Sequence, residues 1–197
     1  MKDNLVIIDN DFLNKDQIKN IESRTKNTFW TYQDSLGSGK DGVGGVKGGD
    51  FADYPYFVSL PTTSGNEDIS LICQEVLKTF ANKHGLIIDK IFRERSNIST
   101  RTLMTTTSRP HVDTLDNDHY VFLYYANDSD GDTILYNEYA DRNKFYNHND
   151  VSINQIISPE AGKAILFPGK QFHSWSGPTE NHIRIILNMN VSFIESN

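Results

Sequence analysis

Two short stretches of this chain carry residues whose types and spacing can do chemistry. The first is Arg109-Pro110-His111-Val112-Asp113. The residues before it, Arg101 to Thr107, are β-branched and apolar, and Pro110 forbids a helix through it. On an extended segment, residues two apart share a face, so His111 and Asp113 present an imidazole and a carboxylate together. A further histidine from a distant strand completes two His and one carboxylate, which leaves positions on iron open for oxygen chemistry. His173, in Pro168-Gly169-Lys170-Gln171-Phe172-His173-Ser174-Trp175, is that histidine. It follows a strand and a Pro-Gly corner that can turn its imidazole into a barrel mouth.

Composition alone makes a His-x-Asp expected about half a time in a chain of this make-up, so the pattern is weak in isolation. A second copy, His148-Asn149-Asp150, sits in the polar run NKFYNHND and reads as a solvated loop. Context singles out His111. Downstream, Arg184 opens the apolar strand RIILNMNVSF. A guanidinium at the start of a buried strand demands an anion. One source is the far carboxylate of a dicarboxylate co-substrate, which a planar fork grips in two places. The other is an internal Arg–Asp pair.

The elements that must position these groups follow from patterning. Leu5 to Ile8 reads as a short strand. Asn14 and Gln17 form a capping box that opens a helix with Ile18 and Ile21 inward. Ile69, Ile72, Cys73, Val76, Leu77 and Phe80 recur at helical spacing, with Gly85 as the stop. After residue 85 the chain turns β-rich. Strands are expected over Leu86–Arg95, Ile98–Thr105, His119–Tyr125, Thr133–Asn137, Val151–Ile157, Lys163–Phe167 and Arg184–Phe193. The turn Ala126 to Asp132 (ANDSDGD) resembles a calcium loop only superficially, and a hairpin is expected there. The class is α+β, mainly β: a sandwich or barrel backed by helices.

Between Phe29 and Phe57 lies a glycine-dense run with aromatic borders (Trp30, Tyr32, Tyr54, Tyr56, Phe57). Gly37-x-Gly39-x-x-Gly42 has the spacing of a dinucleotide fingerprint, but no strand precedes it and no helix follows, so a loop is expected. Its aromatic borders suit either a lid over a site or core packing.

The 197 residues suit one domain, with helical support over about 1–85 and a β core over about 86–194. A net charge of −7 argues against nucleic-acid binding, which needs a basic face. No stretch is apolar enough for a signal peptide or a membrane span. The single cysteine, Cys73, excludes internal disulfides and multi-cysteine zinc sites. A soluble, cytoplasmic protein is expected.

Four stretches taken together, RPHVD, YYANDSDGDT, GKAILFPGKQFHSW and HIRIILN, resemble the Fe(II)- and 2-oxoglutarate-dependent oxygenases, within them the prolyl 4-hydroxylase-like group. The likeness spans residues 101 to 193, with a weaker echo N-terminally. It implies a double-stranded β-helix, a jelly-roll and cupin-like core. It implies that His111, Asp113 and His173 bind Fe(II), and that Arg184 holds the outer carboxylate of 2-oxoglutarate with Tyr125 and Asn188 nearby. The reaction implied uses O2 to decarboxylate 2-oxoglutarate to succinate and CO2 while hydroxylating a C–H bond. The substrate implied is a small molecule or peptide, with peptidyl or free proline favoured, and Trp30, Tyr32, Arg109 and Trp175 are the candidate substrate contacts. Ile186 stands where some members carry Ser or Thr, and the tyrosine often found before the iron motif has no counterpart in Arg101 to Met104. Nucleic-acid demethylases of the superfamily usually carry a further arginine beyond the co-substrate one, and Ile185 to Asn190 has none. Small oxygenases of this pattern also occur in viral genomes, which would place the protein in a host cytoplasm. Two other readings remain open: a cupin-like binding module stabilised by metal, and an interaction protein whose His and Asp satisfy one another.

Overall fold

In a computed structural model, residues 5–34, 45–51, 55–63, 65–103, 107–115 and 118–194 are described. The glycine fingerprint and Tyr54 lie outside them. Strands β1 (Ile7–Asp9), β2 (Thr31–Gln33), β4 (Tyr56–Ser59), β5 (Ile87–Thr100), β6 (Tyr120–Tyr125), β10 (Ala164–Pro168) and β12 (Ile183–Ile194) build one sheet, ordered β1-β10-β6-β12-β5-β4-β2. A smaller sheet has the order β11-β7-β9, from β7 (Thr133–Tyr139), β9 (Ile153–Ile157) and β11 (Gln171–Trp175). The His111 segment extends it through an antiparallel bridge to His173. On its other side His111 bridges Gly45, beside β3 (Val46–Lys47), which pairs in parallel with β8 (Tyr146–Asn147).

Side-chain alternation sorts the large sheet into two faces. Phe122, Tyr124, Leu166, Ile185, Leu187 and Met189 point outward into a core closed by α1 (Lys15–Lys26) and α2 (Glu67–Lys83). The expected stripe of α2, from Ile69 to Phe80, is wholly buried there, with Cys73 on it. Burial pushes the Cys73 thiol well up from its ordinary pKa, as for a small core hydrophobe. Asn14 caps α1, accepting from the backbone of Asp16 and Gln17, while the Gln17 side chain accepts from the Asn14 backbone N–H. Gly85 takes the positive φ of 64° that ends α2. On the opposite face, Val121, Leu123, Tyr125, Ile165, Phe167 and Ile186 meet Leu135 and Ile157 of the small sheet.

Three expectations are corrected. Leu86–Arg95 and Ile98–Thr105 are not two strands: β5 runs unbroken from Ile87 to Thr100 and pairs with β12 along nearly its whole length. The turn after β6 does not close a hairpin, because β6 and β7 lie in different sheets and pair with other strands. It is a crossover, fixed where Asp130 accepts from the backbone N–H groups of Thr179, Glu180 and Asn181 and from the Thr179 hydroxyl. Finally, the N-terminal third is more than helical support. It supplies β1, β2 and β4 to the large sheet and β3 to a separate two-stranded sheet with β8.

Candidate metal centre and adjoining anion pocket

His111, Asp113 and His173 meet between the two sheets. One ligand atom from each lies within 4.8 Å of the others. Both histidines are 5% exposed, and the Asp113 side chain 3%. The Nδ1–H of His111 donates to the Arg109 carbonyl at 2.9 Å, and that of His173 to the Gln171 carbonyl at 3.3 Å. A carbonyl only accepts, so each Nδ1 carries the proton and each Nε2 keeps a free lone pair. This is the orientation metal-binding imidazoles are given by their outer contacts.

Electrostatics favour the same states. Burial and the neighbouring imidazole push His173 down to about 4, and burial also lowers His111, so both rings are neutral at pH 7. Burial opposes ionisation of Asp113, but Arg93, His173 and Arg95 outweigh it and hold the carboxyl far below its usual range. Two neutral imidazoles and one carboxylate suit a divalent cation such as iron, and the donor set fits it.

A cavity runs from the triad along the inner face of the large sheet. Tyr56, Arg95, Asn97, Ser99, Leu123, Thr133, Ser174, Trp175, Arg184, Ile186 and Asn188 line it with the two histidines. At its far end Arg184 is 2% exposed. Its Nη2 donates to the Thr133 hydroxyl at 2.6 Å, and Tyr125 donates to the same oxygen at 2.7 Å. The guanidinium also lies 5.6 Å from the Tyr125 ring centroid. Its Nε has no partner among the described residues, and no carboxylate there lies within ion-pair distance. The internal Arg–Asp pair that the sequence left open is therefore not formed among them. Asp132 acts on Arg184 only as a more distant charge. Asn188, 5% exposed, has an unpartnered Oδ1.

Gly131 lets this end close. A Cβ there would stand 2.7 Å from the Ser176 carbonyl oxygen and 3.0 Å from Cδ of Arg184. The Gly-x-Thr turn thus seats the arginine as well as supplying Thr133.

The four candidate substrate contacts have different fates. Trp175 lines the cavity. Arg109 does not: it donates to the carbonyls of Val46 and Gly48 and lies 5.6 Å from the Phe51 ring, tethering the β3 segment. Trp30 packs against the helix-side core, on the other face of the large sheet. Tyr32 sits on the edge strand β2, 58% exposed, against Phe57. Of the glycine run's aromatic borders, Tyr56 reaches the cavity. His148 lies in an exposed 3-10 turn, as its polar surroundings imply.

Sequence reading missed Thr133 as an individual site residue, and the row Arg93, Arg95, Asn97, Ser99 on β5. A signal existed. Polar residues at every second position of a strand mark a face turned to something other than apolar core.

The sequence matches no protein-family model and no curated protein. Solved structures do match. An oxidoreductase of the 2OG-Fe(II) oxygenase family from Burkholderia pseudomallei aligns over 95% of this chain and 84% of its own, with TM-score 0.62 and 12% identity. A Trichoplax adhaerens prolyl hydroxylase, solved with a hypoxia inducible factor peptide, aligns over 94% and 82%, with TM-score 0.58 and 14% identity. The non-heme alpha ketoglutarate dependent epimerase SnoN of nogalamycin biosynthesis aligns over 96% and 77%, with TM-score 0.66 and 9% identity. Two helices behind a large sheet, with a two-His, one-Asp cluster carried on a second sheet, place this chain in the fold of the 2-oxoglutarate- and Fe(II)-dependent oxygenases, prolyl hydroxylases included.

Proposed function

We propose that the protein is an Fe(II)- and 2-oxoglutarate-dependent oxygenase that hydroxylates a C–H bond of a small-molecule or peptide substrate. One observation carries this reading. A buried triad suited to a divalent metal shares its cavity with a buried arginine that has no carboxylate partner among the described residues. A metal-stabilised binding module of the same fold leaves Arg184 without a purpose. An interaction protein leaves both features without one.

In this reading His111, Asp113 and His173 hold Fe(II), and Arg184 receives the outer carboxylate of 2-oxoglutarate. Iron with 2-oxoglutarate and O2 supplies the oxidising power, and succinate and CO2 are the co-products. The protein's own part is placement. Thr133 and Tyr125 orient the guanidinium, and the polar end of Asn188 faces the same space. Leu123 and Ile186 line the cavity, and Phe167 stacks edge-on to His173 at 5.1 Å, keeping water off the reacting centre. The Nδ1–H bonds of both histidines fix which nitrogen faces the metal.

Prolyl hydroxylation is the finer reading, supported by the prolyl hydroxylase motifs and by prolyl hydroxylases sharing the fold. The test is succinate formation by anaerobically iron-loaded protein given 2-oxoglutarate and O2, with direct 2-oxoglutarate binding measured alongside. Slow turnover that is absent in His173→Ala supports the oxygenase. Metal uptake without 2-oxoglutarate binding overturns it in favour of the binding module. Proline-containing peptides that gain one oxygen by mass would support the finer reading.

A further inference from the structure

Strand β5 brings two arginines to the metal side of the cavity. Arg93 and Arg95 are two residues apart and share a face. Both meet the one carboxylate of the triad: Nη2 of Arg93 is in close ion-pair contact with Oδ2 of Asp113, and Nη2 of Arg95 lies 3.9 Å from Oδ1. Glu94, between them, points the other way and accepts from Ser70 on α2. Tyr56 shares a hydrogen bond with Arg95. Among the described residues, Asp113 is the sole carboxylate paired with either guanidinium, and Nε of Arg93, Nε of Arg95 and Oδ1 of Asn97 have no hydrogen-bond partner.

Under the proposed function, on which this step rests, Asp113 is a metal ligand. Its single negative charge then faces a divalent cation and two guanidiniums at once. The co-substrate does not restore balance here: its inner carboxylate and Asp113 together only match the cation, and its outer carboxylate belongs to Arg184 at the opposite end, so both guanidiniums are left without an anion of their own. A buried guanidinium without an anion is costly. We infer that the prime substrate carries an anionic oxygen group, and that Arg95 binds it, with Arg93 on the more exposed side and Tyr56 supporting. Arg95 lines the cavity beside both histidines, and the Arg93 side chain is 33% exposed against 17% for Arg95, so the pair runs from solvent towards the metal. An anion held there sets the adjoining carbon skeleton over the metal. The fork of Arg95 suits a carboxylate or a tetrahedral oxyanion.

The experiment titrates sulfate and, separately, acetate into the protein carrying Zn(II) and 2-oxoglutarate, at ionic strength held constant with chloride, and follows heat. Metal and 2-oxoglutarate uptake are measured on the same samples. Saturable millimolar binding of at least one anion is expected. It should weaken at least tenfold in Arg95→Met and in the metal-free protein, where Asp113 occupies the guanidiniums, and should persist in Arg95→Lys. Preference for acetate points to a carboxylate substrate, and preference for sulfate to a phosphorylated or sulfated one. Metal and 2-oxoglutarate uptake without saturable binding of either anion overturns the inference and leaves the proposed function standing. Equal binding by a folded Arg95→Met also overturns it. No metal uptake overturns both.

Discussion

His111 and His173 face each other across an antiparallel bridge. The N–H of His111 donates to the His173 carbonyl at 2.9 Å, and the N–H of His173 returns a bond to the His111 carbonyl at 3.0 Å. Directly paired residues in an antiparallel ladder project to the same face. The backbone alone therefore places the two imidazoles side by side, with ring centroids 4.7 Å apart. Because main-chain atoms make the bridge, removing an imidazole leaves it intact. His173→Ala should keep the native circular dichroism spectrum while Mn(II) affinity, measured calorimetrically, falls at least a hundredfold. His111→Ala and Asp113→Ala should lose metal to a similar degree, together with 2-oxoglutarate turnover.

Metal should stabilise the wild-type fold by mass action. At a free concentration about a thousand times the dissociation constant, linkage contributes about 4 kcal/mol. For a chain of this size that raises the melting temperature by roughly 8–16 °C. Chelator should reverse the shift, and His173→Ala should show none.

The far end of the cavity gives a graded series. Arg184→Met removes the cation beside Thr133 and Tyr125, and 2-oxoglutarate affinity should fall at least a hundredfold. Thr133→Val removes the hydroxyl that holds Arg184 and accepts from Tyr125. The loss of one such hydrogen bond is worth about 1.4 kcal/mol, a tenfold weakening. Fluorescence or calorimetric titration of 2-oxoglutarate checks both.

Gly131→Ala acts on the same group from behind. Its methyl would press on a backbone carbonyl and the Arg184 stem. Overpacking of this kind costs about 1–3 kcal/mol, visible in urea unfolding. The 2-oxoglutarate dissociation constant should rise as the guanidinium is displaced.

The crossover carries a pH signature. Burial opposes ionisation of Asp130, but the N–H groups of Asn181, Glu180 and Thr179 outweigh it and hold the carboxyl well below the usual carboxylate range. A depressed folded pKa gives stability that is fully present above the unfolded value, near 4. That stability is lost as pH falls through the folded value. Asp130→Asn should therefore destabilise by about 2 kcal/mol at pH 7. The gap from wild type should shrink as pH drops from about 5 to 2, and urea midpoints across that range measure it.

Pieces whose logic is local could be read directly from the chain. The Asn14–Gln17 capping box, the apolar stripe of α2 and its stop at Gly85 rest on contacts within a few residues, so pattern alone reveals them. The meeting of His111, Asp113 and His173 was legible too, because motif order and spacing along strands preserve which residues face one way. Tertiary structure decided what depends on pairing between distant strands. Nothing local shows that the turn after β6 leaves its sheet, since ANDSDGD suits a crossover and a hairpin equally. Nor does composition reveal that Trp30 belongs to the helix side and Trp175 to the cavity, because an aromatic ring serves both. Arg93 and Arg95 gained meaning only when β12 fixed the register of β5 and the His111 segment swung Asp113 across to meet them. Charges acquire a role from what they face, and the partner here is remote in the chain.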